Sequence, residues 1–252
     1  MDSPTAAATR ERTQPLARVI LGVPGPWPSR SEVVTAIATR SNGLVLLGNL
    51  LRDDASGNVF EAEIEEHEPR LVQAFSIAGR GTLAESDLTA IEAHRHIVYV
   101  IGAGESRDGA RTMLRLGRQL LDAGGIAIKV ESSGVAHSAR AWRALADDPA
   151  EVSLYRAFVM LIGSQRGVYS CGMHAMGMLD ALVVGIEAQV GARVAEGFLL
   201  YTLIDRPALA EGQTFSLGPG EPTFRLAYEP CDTYPPDNPF YNPSGYWLLS
   251  RL

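Results

Sequence analysis

The order of elements along this 252-residue chain predicts an α+β protein built as a tandem pair of ferredoxin-like (split βαβ) units. Three observations carry that prediction. Apolar runs of strand length alternate with capped helical stretches, and the series strand, helix, strand, strand, helix, strand is legible twice. An amphipathic helix beginning at Arg107 stands between the two series. The predicted divisions are a flexible tail over 1–16, a first unit over 17–106 and a linking helix over 107–124. A second unit over 125–229 and a proline- and aromatic-rich extension over 230–252 follow, the whole packed as one compact pseudo-duplicated body.

In the first unit, Ala17 to Val23 is a short apolar strand, and Pro24 to Pro28 turn the chain beneath Trp27. Ser29 and Glu32 form a capping-box pair ahead of a helix that turns Val33, Ala36 and Ile37 inward. Leu44–Leu51 and Asn58–Glu66 read as two strands joined by the polar turn of Asp53, Asp54, Ser56 and Gly57. In the second of them Phe60, Ala62 and Ile64 alternate with Glu61, Glu63 and Glu65, which predicts one buried and one wet face. Thr82 and Glu85 repeat the capping box before a helix that ends near His94, and Ile97–Gly102 is the next strand.

The linking helix carries Met113, Leu114, Gly117, Leu120 and Leu121 on one stripe and stops at Gly124-Gly125. The second series then reads Ile126–Val130 strand, Ala136–Ala146 helix centred on Trp142, and strands at Ser153–Ile162 and Gly167–Cys171. A long helix over Ile186–Ile204 and a closing strand over Thr223–Tyr228 complete it. Prolines deny the extension helical and central-strand roles up to Ser244, so Tyr246–Leu252 is expected as an edge strand at most.

Composition narrows the function classes. The formal net charge of -7 disfavours a general phosphate-binding surface, so nucleic acid is not an expected partner. The first residues lack the apolar core of a signal peptide, and no apolar run is long enough to cross a bilayer. Two cysteines, Cys171 and Cys231, cannot make the disulfide framework of a small secreted domain. A soluble cytoplasmic protein without membrane contact is the expectation.

The chemistry-bearing residues concentrate between Val168 and Gly185, VYSCGMHAMGMLDALVVG. Cys171 and His174 lie close enough to pair as thiolate and imidazole or to share a zinc ion, but zinc would need His137 and Cys231 as well. No second close pair exists, and neither a metal nor a cofactor is assigned. The plainer reading is a small buried thiol beside a hydrogen-bonded histidine. In ESSGVAHS, residues Ser132, Ser133, Gly134 and Ser138 offer hydroxyls and backbone donors to an anion at a helix start. More simply, Ser133 or Ser138 caps that helix. His137, Cys171, His174, Asp180 and Glu131 are the catalytic candidates should this loop lie beside Cys171–Asp180.

Arg107, Arg111, Arg115 and Arg118 form one helical ridge. It could dock an acidic partner or a nucleic acid backbone; more simply, it pairs with Glu61, Glu63 and Glu65 or faces water. The acidic row itself reads as a solvated sheet face more readily than as a hard-metal site. Gly102, Gly104 and Gly109 have the wrong spacing for a dinucleotide loop, and GKS/T, GxSxG, HExxH and CxxC are absent.

Several stretches resemble a bacterial domain-of-unknown-function family, the 4261 type: PGPWPSRSE, HRHIVYVIG, IAIKVESSGVAHSARAW, YSCGMHAMGMLDALV and EGQTFSLGPGEPTFRLAYEP. The likeness runs in order from Ala17 to Tyr228 and leaves the tail from Pro230 outside it. The resemblance implies no settled activity, cofactor or catalytic residue. Related domains are thought of as accessory or immunity-like proteins in bacterial conflict systems. The expected function rests on the lack of a strong catalytic constellation, the acidic charge balance and a duplicated scaffold with a groove between its halves, and the resemblance adds to it. It is that of a non-catalytic binding or accessory protein, with a protein partner or a homo-oligomer as its assembly. A small-molecule hydrolase or ligand-binding enzyme with a pocket near His137, Cys171 and His174 is the alternative.

Overall fold

The computed structural model describes residues 17–252; the tail expected over 1–16 lies outside the described residues. Strand β1 (Arg18–Gly25) leads into α1 (Arg30–Arg40), whose N-cap Ser29 accepts a hydrogen bond from the Glu32 N–H at 3.2 Å. Val33, Ala36 and Ile37 are its buried residues, as the 3.6-residue period dictates. A meander follows, β2 (Leu44–Leu47), β3 (Leu50–Asp53) and β4 (Val59–Glu66). Helices α2 (Leu71–Gly79) and α3 (Glu85–Glu92) then precede β5 (His96–Ala103). After α4 (Arg107–Asp122), the hairpin β6 (Ala127–Val130) and β7 (Val135–Ser138) completes a seven-stranded sheet. Its order is β2-β3-β4-β5-β1-β6-β7, with every neighbouring pair antiparallel.

Helices α5 (Ala139–Asp147) and α6 (Glu151–Phe158) connect to a second sheet, which begins with β8 (Met160–Gly163) and β9 (Val168–Cys171). A short 3-10 helix (Met173–Met176), β10 (Asp180–Val184), α7 (Ala188–Asp205), β11 (Thr214–Phe215), β12 (Phe224–Glu229) and β13 (Tyr246–Arg251) complete the chain. The order here is β11-β12-β13-β10-β9-β8, and β10 and β13 run parallel. The architecture is thus α+β, with two sheets and interspersed helices.

The strand order departs from the ferredoxin-like plan, and the cause is local. Leu44–Leu51, expected as one strand, is cut by Gly48-Asn49 into a two-residue hairpin in which Leu47 faces Leu50. Gly48 has φ 65°, the backbone a type II′ turn requires at its first central position. The extra reversal makes β4 run the same way as β1, so the two cannot pair antiparallel. Strand β5 lies between them, paired with both.

Three further expectations are corrected. Residues 153–158, read as part of a strand, belong to α6; a short buried apolar run carries no period that separates the two states. The capping box expected from Thr82 does not form: Thr82 Oγ1 bonds back to Gly79 O, and Asp87 accepts the Ala84 N–H at 3.0 Å at the head of α3. Strand β13 is no edge strand. It sits between β12 and β10, because the prolines end at Pro243 and YWLLSR beyond them is free to donate on both sides.

One continuous core runs from Val19 and Leu21 of the first sheet to Val183 and Leu249 of the second. Helix α4 lies inside it, capped by Ser106, which accepts the Gly109 N–H at 3.0 Å. Trp142 of α5 lies flat over Gly117, where a Cβ would sit 2.6 Å from its Nε1, and donates to Leu114 O at 3.0 Å. A smaller core on the outer face of the first sheet joins Leu71, Phe75 and Ile91 of α2 and α3 to Ile97, Ala127 and Ala136.

Candidate functional site

Strand β9 ends at Cys171, and the chain then makes two close approaches. Gly172 (φ 123°) abuts Phe158 O and Gly177 (φ 70°) abuts Glu105 O, so closely that neither position has room for a Cβ. Between them the 3-10 helix places His174 in the interior, 1% exposed. The same loop delivers Asp180 to the head of β10, also 1% exposed. Its Oδ1 accepts from the Ser170 hydroxyl at 2.6 Å and from the Met173 N–H at 3.3 Å; its Oδ2 accepts from Asn242 Nδ2 at 2.7 Å. Burial raises its pKa to about 6, with those hydrogen bonds pulling the other way.

Asn242 comes from the strap that joins β12 to β13. Two Asn-Pro turns shape it: Asn238 Oδ1 accepts the Phe240 N–H at 2.8 Å, and Asn242 Oδ1 accepts the Ser244 N–H at 2.9 Å. The strap lies against the face of β9 and the β6–β7 turn. Tyr234 and Tyr169 share a hydroxyl hydrogen bond of 2.7 Å, and Phe240 packs against Tyr234 and beside Gly134. Cys171 Sγ lies 3.7 Å from Phe240 O and 3.8 Å from Ser132 O.

The structure therefore brings Cys171, Ser132, Gly134 and Asp180 together beneath one segment. Burial, with Asp180 beside it, pushes the Cys171 thiol well up. Burial alone depresses the His174 imidazole to about 4, and neither ring nitrogen has a partner among the described residues. The Ser133 hydroxyl is likewise buried and unpartnered there. His137 sits on β7 instead, with Nε2 3.1 Å from Ala157 O and its ring against Trp142; burial lowers its pKa. Glu131 pairs with Lys129 on the other face of the first sheet. Ser138 caps α5, accepting the Ala141 N–H at 3.2 Å.

The arginine ridge is turned onto the protein's own carboxylates. Arg111 reaches Glu151 at 3.3 Å, Arg115 reaches Asp53 at 3.4 Å, and Arg118 pairs with Asp147. Arg107 lies against the Met178 sulfur at 3.8 Å. The acidic row on β4 is not its counterpart, since Glu61 pairs with Arg18.

That row belongs to an open sheet face. Register puts Leu47, Leu50, Val59 and Glu61 on one side, together with Ile101 and Arg52. Leu47, Leu50 and Val59 are 59%, 46% and 55% exposed. The free edge of β2 is blunted by side chains: Ser41 Oγ accepts the Leu44 N–H at 3.0 Å, and Arg30 donates to Gly48 O at 2.9 Å.

Asn242, Ser170 and the strap tyrosines are not among the residues expected from the sequence; the repeated Asn-Pro of DNPFYNPSG is the one local signal that points to them. Among the described residues no group of three or more His, Cys, Asp or Glu side chains is placed to hold a metal ion. No helix among them is long and apolar enough to cross a membrane. Comparison with protein-family models, with curated proteins and with solved structures finds no match for this chain.

Proposed function

We propose that this is a cytoplasmic, non-catalytic accessory protein of the immunity-like kind, which binds a protein partner through the open face of its seven-stranded sheet. The observation that supports this reading is the row Leu47, Leu50 and Val59, each about half exposed and rimmed by Arg52 and Glu61. An apolar centre with a charged rim is the composition of a binding surface, and the blunted β2 edge directs a partner to the face instead of the edge. The resemblance to the domain-of-unknown-function family belongs to the same proposal. Its test is capture from native cells with the wild type and with a Leu47→Lys, Leu50→Lys double variant. A protein, or a second copy of this chain, held by the wild type and released by the folded double variant is the expected result. Capture that survives both lysines overturns it.

The alternative, a small-molecule hydrolase or ligand-binding enzyme, draws support from two buried groups without a partner among the described residues, the His174 ring and the Ser133 hydroxyl. It requires hydrolysis of small polar esters that disappears in His174→Ala. Turnover equal in the variant and the wild type would end it.

A further inference from the structure

We propose that a cavity at the end of the second sheet binds a small organic cation, a primary ammonium group carried on one compact apolar ring. The cavity has a volume of about 200 Å³ and opens between the β8–β9 turn and the first residues of the strap. Its floor is Tyr169, Leu182 and Tyr246, and its mouth carries Arg166, Glu229 and Asp232.

The floor is apolar although two of its three residues are tyrosines. Tyr169 OH is engaged by Tyr234 OH at 2.7 Å, and Tyr246 OH accepts from the Cys231 thiol at 3.6 Å. Both hydroxyls are turned toward Tyr234 and Cys231, neither of which lines the cavity, so the floor offers mainly the two rings, set edge to face at 6.5 Å. An engineered cavity of about 150 Å³ admits benzene, so this one suits a single ring with a short substituent.

The mouth decides the charge. Arg166 is spent on Glu229, with two bonds of 2.6 and 3.0 Å to its two carboxylate oxygens. That pair is neutral as a unit. Asp232 lies near enough to act on the Arg166 charge, and among the described residues it forms no ion pair of its own. A carboxylate beyond the Arg166–Glu229 pair, in a lining that also holds two aromatic rings, favours a cation through a charge-assisted hydrogen bond and cation–π attraction. A carboxylate ligand would meet Asp232 as a like charge.

Three probes share one ring and differ in charge: benzylamine, benzyl alcohol and benzoate. Each is titrated into the full chain at millimolar concentrations while backbone and tyrosine resonances are followed. Benzylamine is expected to saturate, with shifts clustered at Tyr169, Leu182 and Tyr246, and to bind about tenfold more tightly than benzyl alcohol. Asp232→Asn, an exposed substitution that leaves the melting temperature unchanged, brings benzylamine down to the alcohol's affinity. Benzoate binding as tightly as benzylamine, benzylamine affinity that survives Asp232→Asn, shifts that map elsewhere, or no saturation by any probe would each overturn the proposal.

Discussion

Asn242 donates one amide hydrogen to Asp180 Oδ2 at 2.7 Å and the other to Met178 O at 3.0 Å. A single side chain of the strap thereby satisfies a buried carboxylate and fastens the loop that leads to it. Asn242→Ala leaves that carboxylate short of a donor and is expected to cost about 1.5–3 kcal/mol, the range for hydrogen bonds to charged groups. Denaturant midpoints measure the loss, and hydrogen exchange should accelerate over residues 230–245. An unchanged midpoint would show that the strap holds by its aromatic packing alone.

The strap also decides which thiol reacts. Cys231 is partly exposed, whereas Cys171 is 1% exposed with its pKa raised by burial. Under native conditions a thiol reagent should titrate Cys231 and leave Cys171 untouched until the protein unfolds. In Asn242→Ala the second thiol is expected to become reactive while the protein is still folded. Two equally fast thiols in the wild type would contradict the packing of Phe240 over Cys171.

Acid pH sets two buried groups against each other. Asp180 has its pKa raised from 3.8 to about 6 in the folded state, so the folded protein takes up its proton first as pH falls. Its contribution makes the protein more stable on acidification from about pH 6 to 4, by roughly 3 kcal/mol in total. His174 is depressed from 6.5 to about 4, so the unfolded chain takes up that proton first and stability falls over nearly the same window. The wild type should therefore be nearly flat between pH 6 and 4 as far as these two groups go. Asp180→Asn should lose stability steadily there and His174→Phe should gain it, both read from midpoints against pH. Parallel profiles for the two variants would refute the assignment.

Gly172→Ala should be among the most damaging single substitutions. The position has φ 123° and its added methyl would meet the backbone oxygen of Phe158. Strain and clash together should exceed about 3 kcal/mol, against less than about 0.5 kcal/mol for Gly218→Ala, where nothing lies within reach. Comparable melting temperatures for the two variants would count against the loop geometry.

Helical periods and caps were readable where they repeat over several turns. Ser29, the α4 stripe and the long helix near 188–205 follow from spacing alone, as does the alternation on β4. Two kinds of feature were not. The apolar run at 153–162 changes state at Val159, and a run that short fits helix and strand alike. Strand order in the first sheet hinges on the turn at Gly48-Asn49, where one missed reversal changes the direction of β4 relative to β1. Helix α2 left a usable trace in Pro69 followed by Leu71, Phe75 and Ala78 at helical spacing. At the site, spacing could propose Cys171, His174 and Asp180 as neighbours. The partner that satisfies Asp180 lies 62 residues further on, beyond any local pattern.

The place of β13 bears on how the chain matures. Strands β12 and β10 touch it on opposite sides, so the second sheet stays in two pieces until residues 246–251 have left the ribosome. Until then β10 presents an apolar, unpaired edge, DALVV, to whatever surrounds the nascent chain. Its parallel partner is more than sixty residues away, which makes the closing step slow as well as late. A ribosome stalled short of Tyr246 would carry a second sheet still split between β12 and β10, and a shared core still short of Leu249.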